Sequence, residues 1–241
     1  MGLYFPRSLT KRQTIIFFFS QIAHWFAMGL CYHIFMEITI FTLIILFLSV
    51  IIHELAHGSV ALKLGDTTAK EAGRLTLNPL KHIDIFGTII FPLLLLITTM
   101  GQGPIFGWAK PVPVNPFNFK DQKWGTLKVS LAGPATNFLI AVIFGLAVRF
   151  LPLPDQISLL FGIIVLYNFL WGIFNLIPIP PLDGSWILFR FLPDKIFANL
   201  KVFLSQYGFF ILIFFIFYGL RWVSVLAYIL AFLITGRALS L

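Results

Sequence analysis

The chain has 241 residues, of which 59% are hydrophobic and only 11% are charged. A soluble domain of this length needs charged side chains at roughly a quarter of its positions, so the composition excludes an ordinary soluble globular protein. The net charge of +8 would suit nucleic acid, but the basic residues are scattered in short loops between apolar runs, as in membrane proteins. The composition therefore predicts a polytopic membrane protein that does not bind nucleic acid.

A helix that crosses a bilayer needs about 20 apolar residues, and six apolar runs of the chain are interpreted as spans. A shorter run, 85–100, contains Pro92 and is more typical of a re-entrant or interfacial segment. We therefore expect an all-α membrane protein, organised as a single integral membrane domain over 1–241. The predicted spans lie near 13–31, 37–62, 127–151, 157–177, 200–219 and 222–237.

The segment 101–118, GQGPIFGWAKPVPVNPFN, is too rich in Gly and Pro to form a helix. Two interpretations remain open. The alternation in IFGWAKPVPV suits a small membrane-associated β-hairpin at a sheet edge, where Pro is tolerated. An interfacial loop anchored by Trp108 and Phe117 accounts for the same composition.

Basic residues flank the predicted spans on one side only, provided that 85–100 does not cross the membrane. The turns 32–36 and 152–156 contain no Lys or Arg, whereas the loops on the other side contain many. The positive-inside rule then makes the basic side cytoplasmic and places both chain ends there. Arg221 is the one charge on the far side that this arrangement leaves unexplained.

Two histidines and a glutamate interrupt the apolar run at 49–60, SVIIHELAHGSV. His53 and His57 are four residues apart, so on a helix they lie one turn apart on the same face, with Glu54 beside them. Two imidazoles so placed can bind one zinc ion while Glu54 holds a water. The alternative is a set of polar residues that hydrogen-bond a neighbouring helix, but ionisable groups within a membrane are usually functional.

A hydrolytic zinc site needs a third protein ligand and one open position. Asp183 is the best candidate, because it is the only acidic residue in the stretch 157–189 and the predicted topology brings it to the same side as His57. The alternative role for Asp183 is a helix cap. Residues predicted to lie too far away or in a loop are His24, Cys31, His33 and His82.

The motifs HELAH at 53–57 and Asn175-x-x-Pro178-x-x-x-Leu182-Asp183-Gly184 resemble the site-2 protease family of intramembrane zinc metalloproteases. The resemblance covers roughly 37–190. Within the family, the chain is most similar in type to the compact bacterial members without PDZ or CBS domains. It makes this part the core of the domain and leaves 13–31 and 200–237 peripheral. Other stretches that carry it lie at 73–88, 107–116 and 132–138.

The resemblance implies one Zn²⁺ held by His53, His57 and Asp183, with Glu54 as the catalytic base. It implies hydrolysis of peptide bonds in transmembrane proteins or peptides, in the inner (cell) membrane of a bacterium, with the site toward the cytoplasm. An unpaired strand in 104–114 would then capture the unwound substrate by backbone pairing. Two other classes are a metal carrier and an inactive homologue that binds membrane peptides.

Two buried amides of the core have open roles. Asn137, in AGPATNF, and Asn175 can each hydrogen-bond between helices, or hold the substrate and stabilise the oxyanion, as the resemblance favours. Asn168 lies on the same helix face as Asn175 and is expected to be structural.

Overall fold

The computed structural model describes residues 11–100 and 108–238, with side chains from residue 36 onward except at 194 and 195. Contacts divide the chain into two compact units, Met1–Ile44 and Ile45–Leu241. The metal-site candidates and all side-chain contacts between helices described below lie in the second unit.

Helices dominate the described residues, which contain no β-strand. Single turns of 3₁₀-helix occur at Pro79–Lys81 and Pro116–Asn118, and a π-helical turn occurs at Ile85–Ile90. The α-helices are α1 (Lys11–Lys63), α2 (Thr68–Glu71), α3 (Phe91–Thr98), α4 (Gly125–Phe150), α5 (Asp155–Asn175), α6 (Asp183–Phe191), α7 (Asp194–Tyr218) and α8 (Leu220–Thr235).

Four stretches of the described helices are long and apolar enough to cross a membrane, so the chain is an all-α integral membrane protein. Two further apolar helices, Ile85–Thr98 and Leu220–Thr235, are shorter. The first matches the predicted short segment 85–100. The four long stretches are Met36–Lys63, Gly125–Phe150, Asp155–Asn175 and Ile196–Tyr218.

The predicted turn at 32–36 between the first two spans is wrong. Helix α1 runs without interruption from Lys11 to Lys63, so 13–31 and 37–62 belong to one helix. Residues 32–36 read YHIFM and contain neither Gly nor Pro, so nothing in their backbone chemistry ends a helix.

The helical core joins α4, α5 and α8. Small side chains on α4 and α8, Ala141, Ala227 and Ala231, pack against Val165 and Phe169 of α5. Small residues let membrane helices approach closely. Close packing stabilises the bundle, because in lipid there is no hydrophobic driving force between helices.

Helix α8 does not return antiparallel to α7, contrary to the predicted pair 200–219 and 222–237. Gly219 alone separates them, and its right-handed helical conformation (φ −99°, ψ −24°) lets the chain continue in the same general direction. At the far end of α8, Arg237 Nη2 donates to Val148 O at 2.9 Å and to the hydroxyl of Ser158. The end of α8 therefore lies beside the α4–α5 turn.

This arrangement corrects the predicted position of the C-terminal end. The α4–α5 turn is the end of the bundle opposite the basic loops, so the described chain at Arg237 lies at that end and not on the cytoplasmic side predicted for it. Arg221 lies beside Tyr167 and Leu170, in the middle of α5, rather than at the far surface.

The segment 108–115 is fastened to α1 and to the loops after it by alternate backbone N–H groups. Trp108 donates to Gly87 O at 3.1 Å, Lys110 donates to His82 O at 2.9 Å, and Val112 donates to Glu54 Oε2 at 2.8 Å. The predicted hairpin is not seen in 108–114, because alternate N–H groups of this segment already donate to other parts of the protein. Residues 101–107 lie outside the described residues. Capture of substrate by this segment stays a prediction.

Asp66 anchors the far end of this segment. Its fully buried carboxylate accepts hydrogen bonds from Asn115 N at 2.7 Å, from Asn118 Nδ2 at 2.8 Å and from the amide and hydroxyl of Thr68. Burial opposes ionisation, but the hydrogen bonds from Thr68, Asn115 and Asn118 outweigh it and lower the pKa of Asp66. An ionised Asp66 therefore ties the chain at 115–118 to the end of α1.

We predict that Asp66→Asn lowers the free energy of unfolding by about 2 kcal/mol at pH 7, because an amide replaces an acceptor of several donors. Since the folded-state pKa is lowered, this contribution is full above the unfolded pKa of about 4 and is lost as pH falls through the folded value. Denaturant unfolding of both proteins from pH 7 to pH 3 measures the difference.

The matched control is Glu71→Gln, an exposed carboxylate of α2, which should leave stability unchanged. Equal stability of Asp66→Asn and the wild type at pH 7 would contradict the anchoring role.

Candidate metal centre

The three predicted metal ligands meet at one point. His53 Nε2 and His57 Nε2, one turn apart on α1, are 3.0 Å from each other. Asp183 Oδ2 lies 3.0 Å from His53 Nε2 and 3.1 Å from His57 Nε2. One ligand atom from each residue lies within 4.8 Å of the others. The structure thus brings together residues separated by 126 positions along the chain.

Asp183 reaches this point because α6 begins directly against the end of α5. A Cβ at Gly184 would lie 2.2 Å from Leu176 O and 2.5 Å from Ile177 O, so only glycine allows this approach. Asp183 is the first residue of α6, and Leu182, not Asp183, is in the cap position. Asp183 is therefore not the N-cap residue of α6, which was the alternative role considered for it.

The hydrogen bond at Nδ1 determines the tautomer of His57. This atom lies 2.7 Å from Val129 O, and a carbonyl oxygen can only accept, so Nδ1 must carry a proton. In the neutral ring Nε2 is then bare, which leaves its lone pair for a metal. Val129 lies in α4, on the helix that also carries Gly133, so the same helix that packs against the imidazoles supplies this carbonyl.

The tautomer of His53 follows from a chain of two buried amides. Ile164 O can only accept, so Asn168 Nδ2 donates to it at 2.9 Å. Asn168 Oδ1 then accepts from Asn137 Nδ2 at 3.0 Å, and Asn137 Oδ1 accepts from His53 Nδ1 at 2.6 Å. Both asparagines are fully buried. His53 is thereby held with its Nε2 bare, facing His57 and Asp183.

The donor set fits zinc. When both rings are neutral, three atoms with lone pairs face one another at 3.0–3.1 Å, and a cation among them offsets their repulsion. Ligands at 2.0–2.1 Å from a tetrahedral zinc are about 3.3 Å apart, close to these separations. Two imidazoles and one carboxylate are also the ligand number that leaves a fourth position for water or substrate.

Gly133 on α4 provides the space for the two imidazoles. A Cβ there would lie 2.4 Å from His57 Nε2 and 2.5 Å from His53 Nε2. The close approach of α4 to α1 at this residue is therefore available only to glycine.

Glu54 lies beside the histidines on α1 and is half-buried. Its Oε2 accepts the hydrogen bond from Val112 N at 2.8 Å. One turn further along, Gly58 lets the Val112 side chain pack on α1, since a Cβ at Gly58 would lie 2.8 Å from Val112 Cγ1. The segment 108–115 is thus held directly against the glutamate.

The other predicted polar residues lie elsewhere or face other partners. His82 is buried in the loop layer, where its Nε2 donates to Thr76 O at 2.8 Å. Asn175 Nδ2 donates to Trp171 O, one turn back in its own helix, at 3.0 Å. The side chains of His24, Cys31 and His33 lie outside the described residues.

Sequence reasoning missed three contacts at this centre: the Val129 carbonyl, the Val112 amide and the position of Trp171. The indole of Trp171 meets the His53 ring edge-on at a centroid distance of 6.5 Å. The two backbone contacts leave no signal in side-chain chemistry, so the sequence could not have indicated them.

Comparison with known proteins yields a family model and three relatives. Residues 153–215 match the model of "Peptidase family M50". The chain is 40% identical over 178 residues to "Putative zinc metalloprotease YwhC" of Bacillus subtilis, covering 70% of this chain and 76% of the relative. It is 34% identical over 145 residues to "Putative zinc metalloprotease Rip2" of Mycolicibacterium smegmatis, covering 57% of this chain and 51% of the relative.

A third relative, "Zinc metalloprotease MJ0392" of Methanocaldococcus jannaschii, is 31% identical over 152 residues, covering 63% of this chain and 34% of the relative. No solved structure matches the chain significantly.

The fold and the donor set define a membrane-embedded zinc enzyme. The chain belongs to peptidase family M50, the site-2 protease family, and is a zinc metalloprotease whose cofactor is Zn²⁺. The predicted family is confirmed.

We predict that Gly133→Ala weakens zinc binding about tenfold or more, because the added methyl group pushes both imidazoles out of position. Zinc content after dialysis, measured by inductively coupled plasma mass spectrometry, checks this. Gly172→Ala is the matched control on the neighbouring helix, since its Cβ would meet the Phe138 ring at 3.4 Å, an ordinary contact. Full zinc content in Gly133→Ala would show that the site does not depend on this close approach.

Asn137→Ala should weaken zinc binding about 10- to 100-fold, because His53 loses the partner that orients its ring. Asn168→Ala should have a smaller effect, since it acts through Asn137. Asn175→Ala, whose amide bonds only to its own helix, should bind zinc like the wild type. Competition with a fluorescent chelator measures all three affinities, and an unchanged Asn137→Ala would argue against the amide chain.

Proposed function

We propose that this protein is an intramembrane metalloprotease that hydrolyses peptide bonds of transmembrane proteins or peptides with a zinc-activated water. The observation that carries the proposal is the meeting of His53, His57 and Asp183 beside Glu54 within an apolar helical bundle. His57 lies six residues before Lys63, so the site is about 9 Å below the basic end of α1. A carboxylate and two imidazoles at that depth have no role in packing against lipid.

In this proposal His53, His57 and Asp183 hold the metal and Glu54 moves the proton. Zinc bound by these side chains would supply Lewis-acid polarisation of a water and of the scissile carbonyl. Glu54 takes the proton of the attacking water and passes it to the nitrogen of the leaving amine. Val112 N–H donates to Glu54 Oε2 at 2.8 Å and so holds the carboxylate against the segment 108–115.

The two amides receive different roles. Asn137 is fully buried, with Oδ1 held by His53 and Nδ2 by Asn168, which supports its structural role as the residue that orients His53. Asn175 makes one hydrogen bond within its own helix, so its amide can still contact the substrate or the oxyanion. We keep only Asn175 as a substrate-binding candidate.

The orientation in the membrane rests on charge. The site lies at the end of α1 that carries Lys63, from which the loops with Arg74 and Lys110 extend. The positive-inside rule makes this side cytoplasmic, in the cell membrane of a bacterium. The single protease domain over 1–241, with its core at 37–190, remains part of the proposal. No observation favours the metal carrier or the inactive homologue, because the glutamate stands beside a complete ligand set.

Glu54→Gln should lower cleavage of a labelled transmembrane peptide in proteoliposomes by about 10²- to 10⁴-fold, because it removes the proton acceptor. Its zinc content should stay at the wild-type level, whereas Asp183→Ala should lose the metal. The matched control is Glu37→Gln, an exposed glutamate earlier on α1, which should cleave normally. Full cleavage by Glu54→Gln would end the catalytic assignment.

A further inference from the structure

A pocket lined by two arginines lies at the end of the bundle opposite the metal centre. It is open, has a volume of about 420 Å³ and is formed by the α4–α5 turn and the end of α8. Arg149 lies twelve residues, about 18 Å, along α4 from Asn137, so the pocket is remote from the metal ligands. We define it by Arg149, Pro152, Gly236 and Arg237 and call it the arginine pocket.

The two arginines are held in place by each other's helices. Arg149 Nη1, on α4, donates to Leu233 O of α8 at 3.0 Å. Arg237 Nη2, just beyond α8, donates to Val148 O of α4 at 2.9 Å and to the hydroxyl of Ser158. Each guanidinium has five N–H donors, so these bonds position the groups and leave further donors for a ligand.

The backbone at the end of α8 brings the guanidinium of Arg149 into the pocket. Gly236 has a positive φ of 73°, the left-handed conformation that ends many helices. A Cβ at Gly236 would lie 3.6 Å from Arg149 Cζ, so the guanidinium rests against this glycine. The exposed Arg149 side chain therefore lies along the end of α8 and lines the arginine pocket.

No carboxylate among the described residues forms an ion pair with Arg149 or Arg237, and both side chains are exposed. Helix C-termini stabilise nearby cations, but only with partial charges. The positive-inside rule also disfavours arginine at the end of the bundle away from the basic loops. Two neighbouring cations at this end therefore indicate a ligand with negative charge.

We propose that the arginine pocket binds a phosphate group, supplied by the headgroup of an anionic phospholipid. Guanidinium groups match phosphate oxygens with paired N–H donors. The apolar helix α4 ends at Phe150, one residue beyond Arg149, so the pocket lies at the depth of the lipid phosphates. Bound there, a headgroup bridges α4 and α8 at the end of the bundle opposite the metal centre.

The test uses the full-length protein, purified in a neutral detergent and mixed with phosphatidylglycerol or phosphatidylcholine. Native mass spectrometry counts the retained lipid, and thermal unfolding measures stabilisation. We expect one phosphatidylglycerol to be retained in preference to phosphatidylcholine, and the preference to fall about fivefold for each of Arg149→Gln and Arg237→Gln. Arg149→Lys keeps the positive charge, so it should retain most of the preference for phosphatidylglycerol even if the hydrogen bond to Leu233 O is lost.

Arg221→Gln is the matched control, because it removes one arginine that lies on α8 but outside the arginine pocket. It should keep the lipid preference of the wild type. An equal loss in Arg221→Gln, or no loss in Arg149→Gln and Arg237→Gln, would overturn the proposal. A second arm adds soluble glycerol phosphate; displacement of the lipid at low millimolar concentration would show a site for free phosphate esters and would overturn the lipid assignment.

Discussion

Three lone-pair atoms held about 3 Å apart inside an apolar bundle are the constraint around which the site is built. When both rings are neutral, a cation among His53, His57 and Asp183 offsets the repulsion between these atoms. The surrounding structure keeps these three side chains together by fixing the orientation of both imidazole rings. Buried hydrogen bonds use the Nδ1 atoms. Gly133 lets α4 pack directly against the two imidazoles, and Gly184 lets α6 come close enough to supply Asp183.

The same elements connect the site to the layer of loops outside the apolar bundle. Val112 N–H binds Glu54, and the segment that carries Val112 is tied to the end of α1 through Asp66 and Asn115. A buried carboxylate with several donors is a rigid attachment, because losing any one partner leaves a polar group unpaired. The position of the glutamate therefore depends on a loop that carries no catalytic group of its own.

The far end of the bundle is organised differently. There, arginines from α4 and from the end of α8 donate to each other's helix ends. This exchange is possible because α8 continues the direction of α7 past Gly219 and reaches the α4–α5 turn. The apolar pattern of 222–237 predicted a helix correctly, but periodicity carries no information on whether a single glycine reverses the chain or lets it continue.

The sequence alone determined the class of protein and the family, and it predicted the three side chains that meet at the candidate metal centre. Side-chain chemistry in lipid is costly enough that histidine, glutamate and aspartate at membrane depth indicate a site by themselves. Only the tertiary structure decided what each buried amide does, where α8 ends and that α1 is continuous. Those outcomes depend on backbone carbonyls, amide N–H groups and close approaches at glycine, which are the same in every sequence until the helices are packed.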